Sequence, residues 1–204
     1  MKTTKIVSDF LGANVFVVKD KCQCIIIDCG VNVNAVKKAV GKTKVAGILL
    51  THGHYDHSRY CLKYAKQFGC KIFAHQNVIK TMQDPKIMYS LGNFIIDDFS
   101  DFCFLNYDQK IKLGDFDIDC YYCPGHTDCC ECYLINGQLF AGDVLFDKTI
   151  GRTDLVNSNE GDMFNSLLKL KNVDFEIVYS GHGEESNHEE QLKNIAIFKE
   201  YLTN

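Results

Sequence analysis

The chain lacks a basic stripe. Its 22 Lys and Arg are scattered among 26 Asp and Glu, for a net charge of −4. Gripping a phosphate backbone takes clustered cations, so nucleic acid is not an expected partner. No apolar run approaches the roughly 20 residues of a membrane span. The N-terminal stretch MKTTKIVSDFLGANVFVVKD has neither the continuous apolar segment nor the small-residue cleavage site of a secretory signal, and a cytoplasmic protein is expected. There is no Ser/Gly linker, low-complexity tract or short-period repeat. A length of 204 residues therefore suits one domain, 1–204, or a tight pair of similar halves. At this size about 70% of the unfolded surface can be buried, so a core forms without staples.

Cysteine is abundant. Eleven residues, an odd number in a chain with no mark of secretion, argue against a disulfide framework. The nearest thing to a metal knuckle is Cys120-x-x-Cys123 followed by Cys129, Cys130 and Cys132, which would suit structural zinc if the thiolates converged. Cys22, Cys24 and Cys29 flank the apolar strand Ile25 to Ile27 and read as small buried hydrophobes.

The densest group of ligand-type side chains is THGHYDHSRY, Thr51 to Tyr60, which holds His52, His54, Asp56 and His57. The apolar run Val45 to Leu50 precedes it and reads as a buried strand. The polar cluster thus starts where a strand ends, and in open α/β sheets ligands bind outside the carboxyl ends of strands. Imidazole and carboxylate suit zinc, iron and similar metals, and one such loop can serve two adjacent ions. The competing reading is a solvated polar turn.

Strands are expected at Thr3 to Val7, Ala13 to Val18 and Cys24 to Asp28, the last ending in a turn at Gly30. Asn32 or Asn34 can cap a helix through Val40. A helix over Ser58 to Phe68, closed by Gly69, leads to a strand at Lys71 to Ala74. This strand, helix, strand order argues for a parallel α/β layer. Gln76 to Gln83 reads as a helix stopped before Pro85, and Met88 to Phe104 has no clear pattern. Gln109 to Leu113 and Phe116 to Tyr122 alternate about Gly114-Asp115 as a hairpin, and Glu131 to Ile135 and Gln138 to Ala141 do so about Asn136-Gly137. Helices follow at Asp162 to Leu170 and Glu189 to Leu202, with a strand between them at Phe175 to Tyr179.

One pattern recurs. An apolar strand ends, and a Gly-flanked His or Asp follows, at His52 with His54, at His126, at Asp143 and at His182. A lone histidine after a strand is usually a polar loop residue, but four recurrences along one edge would make one site.

The ordered set THGHYDH, PGHT, FAGDVLF and SGHG resembles the metallo-β-lactamase superfamily across nearly the whole chain. The resemblance implies an αββα sandwich of two mixed β-sheets flanked by helices, with metal at one sheet edge. By motif, His52, His54 and His126 would bind a first ion. Asp56, His57 and His182 would bind a second, and Asp143 would bridge them. Asp28, after an early strand, would support the ligands. His75 and His188 match no ligand motif and are read as a strand-end and a surface histidine. GDVLF followed by IGRTDL is similar to the glyoxalase II-type hydrolases (hydroxyacylglutathione hydrolases) in a short form, without the C-terminal helical region that supplies glutathione contacts in the longer enzymes. Ser58-Arg59-Tyr60 and Asp128-Cys129-Cys130 depart from the family's usual residues close to the site.

The resemblance implies two divalent ions per chain, zinc with iron or manganese as alternatives, and hydrolysis of a small S-acylglutathione-type thioester by a hydroxide held between them. Asp56 and Asp143 would be the catalytic carboxylates. Arg152 would hold a substrate carboxylate in its planar fork, the alternative being an ion pair with Asp154. A persulfide dioxygenase using one iron shares the GRTD element and is the second reading. A non-catalytic metal protein is the third, disfavoured because seven ligands exceed what structure needs. Neither membrane nor nucleic acid is expected as a partner.

Overall fold

A computed structural model describes the backbone of residues 1–203 and the side chains of residues 1–198. Two six-stranded sheets lie face to face. The first runs β1 (Lys2–Val7), β2 (Asn14–Asp20), β3 (Gln23–Ile27), β4 (Lys44–Leu49), β5 (Ile72–His75), β6 (Phe102–Leu105), antiparallel as far as β3 and parallel beyond it. The second sheet is ordered β12-β11-β10-β9-β8-β7, with β7 (Gln109–Leu113), β8 (Phe116–Tyr122), β9 (Glu131–Ile135), β10 (Gln138–Gly142), β11 (Ile177–Ser180) and β12 (Ser186–Asn187). Only its β10–β11 pairing is parallel. Both sheets are mixed, as the resemblance implies.

Strand alternation builds the layers, because successive side chains point to opposite faces. Phe16 and Val18 of β2, with Ile25 and Ile27 of β3, enter the apolar layer between the sheets, where they meet Phe116, Ile118, Tyr133 and Phe140 of the second sheet. Their neighbours Val15, Val17, Cys24 and Ile26 face outward onto α1 (Val33–Val40) and α3 (Cys61–Phe68). The second sheet packs its outer face, including Leu139 and Val178, against α5 (Glu160–Leu170) and Ile195 of α6 (His188–Thr203). Among the described residues no helix is long and apolar enough to cross a membrane.

Local signals explain most element boundaries. The Asn32 side chain accepts from the Asn34 backbone N–H at the start of α1. Gly69, at φ 61° and ψ 42°, ends α3 in the left-handed region that glycine enters without penalty. The helix expected over Ser58 to Phe68 is broken in two. A short α2 (Tyr55–Ser58) stops because Tyr60 donates its backbone N–H to Cys29 O at 3.2 Å instead of continuing the ladder. The helix expected over Gln76 to Gln83 is α4 (Val78–Gln83), and the unpatterned stretch 88–104 after it is mainly irregular until β6. It is fastened by tertiary bonds, such as Ile96 N–H to Met82 O, that carry no periodicity.

The cysteines divide among the layers. Cys120 faces the space between the sheets, Cys129 the first helical layer, and Cys123, Cys130 and Cys132 the second. They do not form one tetrahedral knuckle. Burial pushes the Cys130 and Cys132 thiols well up, away from the thiolate that zinc requires. Cys24 and Cys29 are buried as expected, but Cys22 is exposed in the β2–β3 turn.

Candidate metal centre

All seven residues picked by pattern, with Asp28, collect at one edge of the sandwich, beyond the carboxyl ends of β3, β4, β8, β10 and β11. Asp28 follows β3, and the loop after β4 carries His52, His54, Asp56 and His57. His126 follows β8, Asp143 follows β10 and His182 follows β11. Three sets of ligand atoms each lie within 4.8 Å of one another: His52, His54 and His126; His52, His57 and Asp143; and Asp56, His57 and His182.

Hydrogen bonds at the back of the rings set which nitrogen faces the centre. His57 Nδ1 meets Asp28 Oδ2 at 2.8 Å, His126 Nδ1 meets Arg152 O at 3.1 Å, and His182 Nδ1 meets Leu11 O at 3.1 Å. An oxygen acceptor demands an N–H opposite it, so these rings carry their proton on Nδ1 and turn Nε2 inward. Thr51 does the same for His52. Its hydroxyl donates to Asp28 Oδ2 at 2.8 Å, which leaves it an acceptor for His52 Nδ1 at 3.1 Å. His54 is reversed: Nδ1 faces the centre, while Nε2 is buried without a partner. Asp28 therefore braces two rings. It also accepts from the Thr51 backbone N–H at 2.8 Å. It sits at φ 62°, a region Asp tolerates better than most residues.

The inward nitrogens crowd one another. His54 Nδ1 stands 3.1 Å from His52 Nε2 and 3.0 Å from His126 Nε2, and His57 Nε2 stands 3.2 Å from His182 Nε2. Four rings thus turn Nε2, and His54 turns Nδ1, into one buried space, where the close nitrogens form a donor set that a cation can take. Asp143 supplies negative charge to both groups. Its Oδ2 is 3.4 Å from His126 and 3.5 Å from His182, and its Oδ1, which has no hydrogen-bond donor, is 3.5 Å from His57. The donor set and the orphaned carboxylate oxygen fit divalent metal.

The electrostatics divide the site in two. Burial holds the His52 and His126 imidazoles below their ordinary range, and takes His54 down to about 3. These rings are neutral, as ligands must be. Burial also opposes charge on His57 and His182, but carboxylates outweigh it. Asp56, Asp143 and Asp28 raise His57 to about 9, and Asp143 and Asp56 raise His182 to about 10. The carboxylates that favour charge on these two rings would equally favour a bound cation. Asp143 is held well below its usual range: burial acts upward, but the facing imidazoles prevail.

Arg152 forms the ion pair with Asp154 that is the alternative to a free carboxylate clamp. Its guanidinium makes a two-point pair with Asp154, Nε–Oδ1 2.7 Å and NH2–Oδ2 2.8 Å, and the pair is exposed. Its carbonyl is what touches the site. His75 is buried and stacks on Tyr122 at 4.1 Å, away from the ligand sets, and His188 is half-buried against Phe175 instead of lying on the open surface. Sequence reasoning missed the carbonyls of Leu11 and Arg152 and the Thr51 hydroxyl. Only Thr51, inside the motif, had a signal that could have found it. It also missed Gly181, where a Cβ would stand 2.0 Å from Asp143 Oδ1.

Comparison with known proteins bears on the family and the fold. The chain is 28% identical over 186 residues to a probable metallo-hydrolase, YqgX, of Bacillus subtilis, covering 87% of this chain and 88% of that one. It is 30% identical over 156 residues to the hydroxyacylglutathione hydrolase of Buchnera aphidicola, covering 76% of this chain but 54% of that protein. The crystal structure of the BLEG-1 B3 metallo-beta-lactamase superposes over the full length of both chains with a TM-score of 0.87 at 25% identity. The profile described as the metallo-beta-lactamase superfamily matches residues 8–182, a span that contains every ligand-type residue of the centre, and the chain belongs to that superfamily.

Proposed function

We propose that the protein is a metal-dependent thioester hydrolase working with two divalent ions, zinc or a zinc, iron and manganese mixture. One observation carries this reading: two facing trios of ligand atoms with the Asp143 carboxylate between them. His52, His54 and His126 would hold one ion, and Asp56, His57 and His182 the other, with Asp143 touching both. Divalent ions bound there supply a Lewis acid for a carbonyl oxygen and a water nucleophile ionised near neutral pH.

The chain's own groups do the rest. Asp28 and Thr51 fix the His57 and His52 rings. Asp56 is kept ionised by His57 and His182 against the upward push of burial, and can accept a hydrogen bond from the attacking water and so orient it. A thiolate leaving group is a weak base, so no strong general acid is needed. Arg152 would take a substrate carboxylate by exchanging Asp154, a small step because the pair is exposed and screened by water. The name of the Buchnera relative, a hydroxyacylglutathione hydrolase, supports a glutathione-type thioester.

The test is metal analysis of protein purified without added metal, coupled to thioester turnover in air and under argon. Two ions per chain and equal thiol release in both atmospheres are expected. One iron per chain, with oxygen uptake on glutathione persulfide and no thioester turnover, would install the dioxygenase instead. Asp143→Ala is expected to lose both ions or nearly all turnover.

A further inference from the structure

Half of the large apolar side chains left exposed among the described residues lie on three segments around the metal centre. Leu11 is 70% exposed in the β1–β2 loop, Val156 is 73% exposed after Asp143, and Tyr89, Leu91, Phe94 and Ile95 are exposed in the irregular stretch before β6. Scattered surface hydrophobes need no explanation, but a contiguous set rimming a polar site marks binding.

This set is joined to the ligands. The Tyr89 ring stands edge-on to His54 at 5.3 Å, and its hydroxyl accepts from the Val156 backbone N–H at 3.3 Å. Tyr55, between His54 and Asp56 in the chain, is flanked by Phe10 at 5.7 Å and Phe94 at 5.4 Å. On the other side, the residue that accepts from His182 is Leu11 itself. Leu11 and Tyr89 sit at φ 56° and 53°, where bulky side chains are disfavoured, so the fold holds both against local preference. Two cations near the site differ: Arg59 is held by Gly30 O and Ser8 Oγ and lies over the Phe10 ring, whereas Arg152, paired with Asp154 on the surface, can exchange toward a carboxylate elsewhere on the substrate.

We propose that this collar receives the acyl chain, so that the substrate is a thioester of a straight, apolar acyl group of medium length and not a short hydroxylated one. This rests on the hydrolase reading above and names its substrate class. An apolar chain leaving the carbonyl on the His54 side can cover Tyr89 and Val156, with Leu11 bordering the centre on the His182 side.

The experiment uses the metal-loaded full chain. S-methyl-, S-hexyl- and S-decylglutathione, thioethers that cannot be hydrolysed, are titrated by calorimetry, and kcat/KM is measured for the matching acyl thioesters. Affinity is expected to rise by up to about fourfold per methylene, so that decyl binds more than tenfold tighter than hexyl. Leu11→Ser and Val156→Ser are expected to flatten the series, and Ile197→Ser, an exposed change on α6, to leave it. A flat series in the native chain, or an unchanged slope in both collar variants, overturns the proposal. So does a dimer that the collar variants dissociate, since a second copy would then cover the surface. The two readings fail separately. Chain-length-dependent thioether binding with no thioester turnover removes the hydrolase and keeps the collar, and equal turnover of every acyl length does the reverse.

Discussion

The Asp28 carboxylate accepts from His57 Nδ1 at 2.8 Å through the same oxygen that accepts from the Thr51 hydroxyl. One buried anion thus fixes the tautomer of a ring in each half of the centre. Asp28→Asn keeps the shape, and asparagine also tolerates the φ of 62° found here. It removes the charge and puts an N–H where an acceptor is needed. Metal affinity is expected to fall by about 10–100-fold, the usual loss for a partner behind a ligand. Competition with a coloured chelator would measure it, with circular dichroism to confirm the fold. Unchanged affinity for both ions would remove Asp28 from the site.

Gly181 permits the close approach of β11's end to Asp143. A Cβ at 181 would meet Asp143 Oδ1 at 2.0 Å and His57 Cε1 at 2.9 Å, so one of them must move. Gly181→Ala is expected to reduce metal content and lower kcat by at least about tenfold, the scale on which small misplacements of catalytic groups act. The strand itself should survive, because its ladder to β10 lies upstream of residue 181. Native metal content and kcat in the variant would show that the carboxylate has room to spare.

Glu131 provides a pH readout independent of metal. It lies on β9 facing the space between the sheets, fully buried, with no hydrogen-bond partner for either oxygen. Burial raises its carboxyl from the ordinary 4.5 to about 8; Asp108 adds to the rise and Lys169 opposes it. The unfolded chain ionises this group above pH 4.5 and the folded chain holds the proton until about pH 8. Its favourable contribution is therefore complete below the unfolded value and is lost as pH rises through the window to 8. The slope is about 1.4 kcal/mol per pH unit. Glu131→Gln cannot ionise. Its stability relative to the native chain is expected to rise by a few kcal/mol between pH 5 and pH 8, measured by denaturant unfolding. Parallel pH profiles for the two chains would mean that Glu131 ionises normally.

The strand ends of this fold are legible because each combines an apolar run, a glycine and a ligand-type residue. His126, Asp143 and His182 could be found that way, and the hairpin about Gly114 emerged with its full register. What stayed hidden depends on tertiary structure. The carbonyls of Leu11 and Arg152 orient two rings, but main-chain acceptors leave no trace in residue type. Glu131 looks like the polar member of an alternating strand, yet it shares the inward face with Tyr133 and Ile135. The break at Arg59-Tyr60 follows from a bond to Cys29, far away in sequence. The cysteine spacing suggested a knuckle, but Cys120 enters the space between the sheets and Cys129 the first helical layer, while Cys123, Cys130 and Cys132 enter the second.

The last prediction concerns how the two trios share their ligands. His54 belongs only to the set with His52 and His126, and His182 only to the set with Asp56 and His57. If each trio holds its own ion, removing one of these residues should empty one place and leave the other. His54→Ala and His182→Ala are each expected to retain close to one ion per chain after dialysis against dilute chelator, and Asp143→Ala to retain fewer than either. The two single-ion proteins should also differ with pH. His57 and His182 are held protonated up to about 9 and 10, so the second trio must release protons to take a metal, while the first, with His54 at about 3, need not. The ion left in His182→Ala should therefore bind with little change between pH 6 and pH 8, and the ion left in His54→Ala should weaken toward pH 6. Turnover should fall in both by more than the about 10–100-fold that loss of an outer partner costs. Elemental analysis against protein concentration measures the count. Two ions in either variant, or none in both, would show that the trios are not separate places and that the centre holds its metal as one shared cluster.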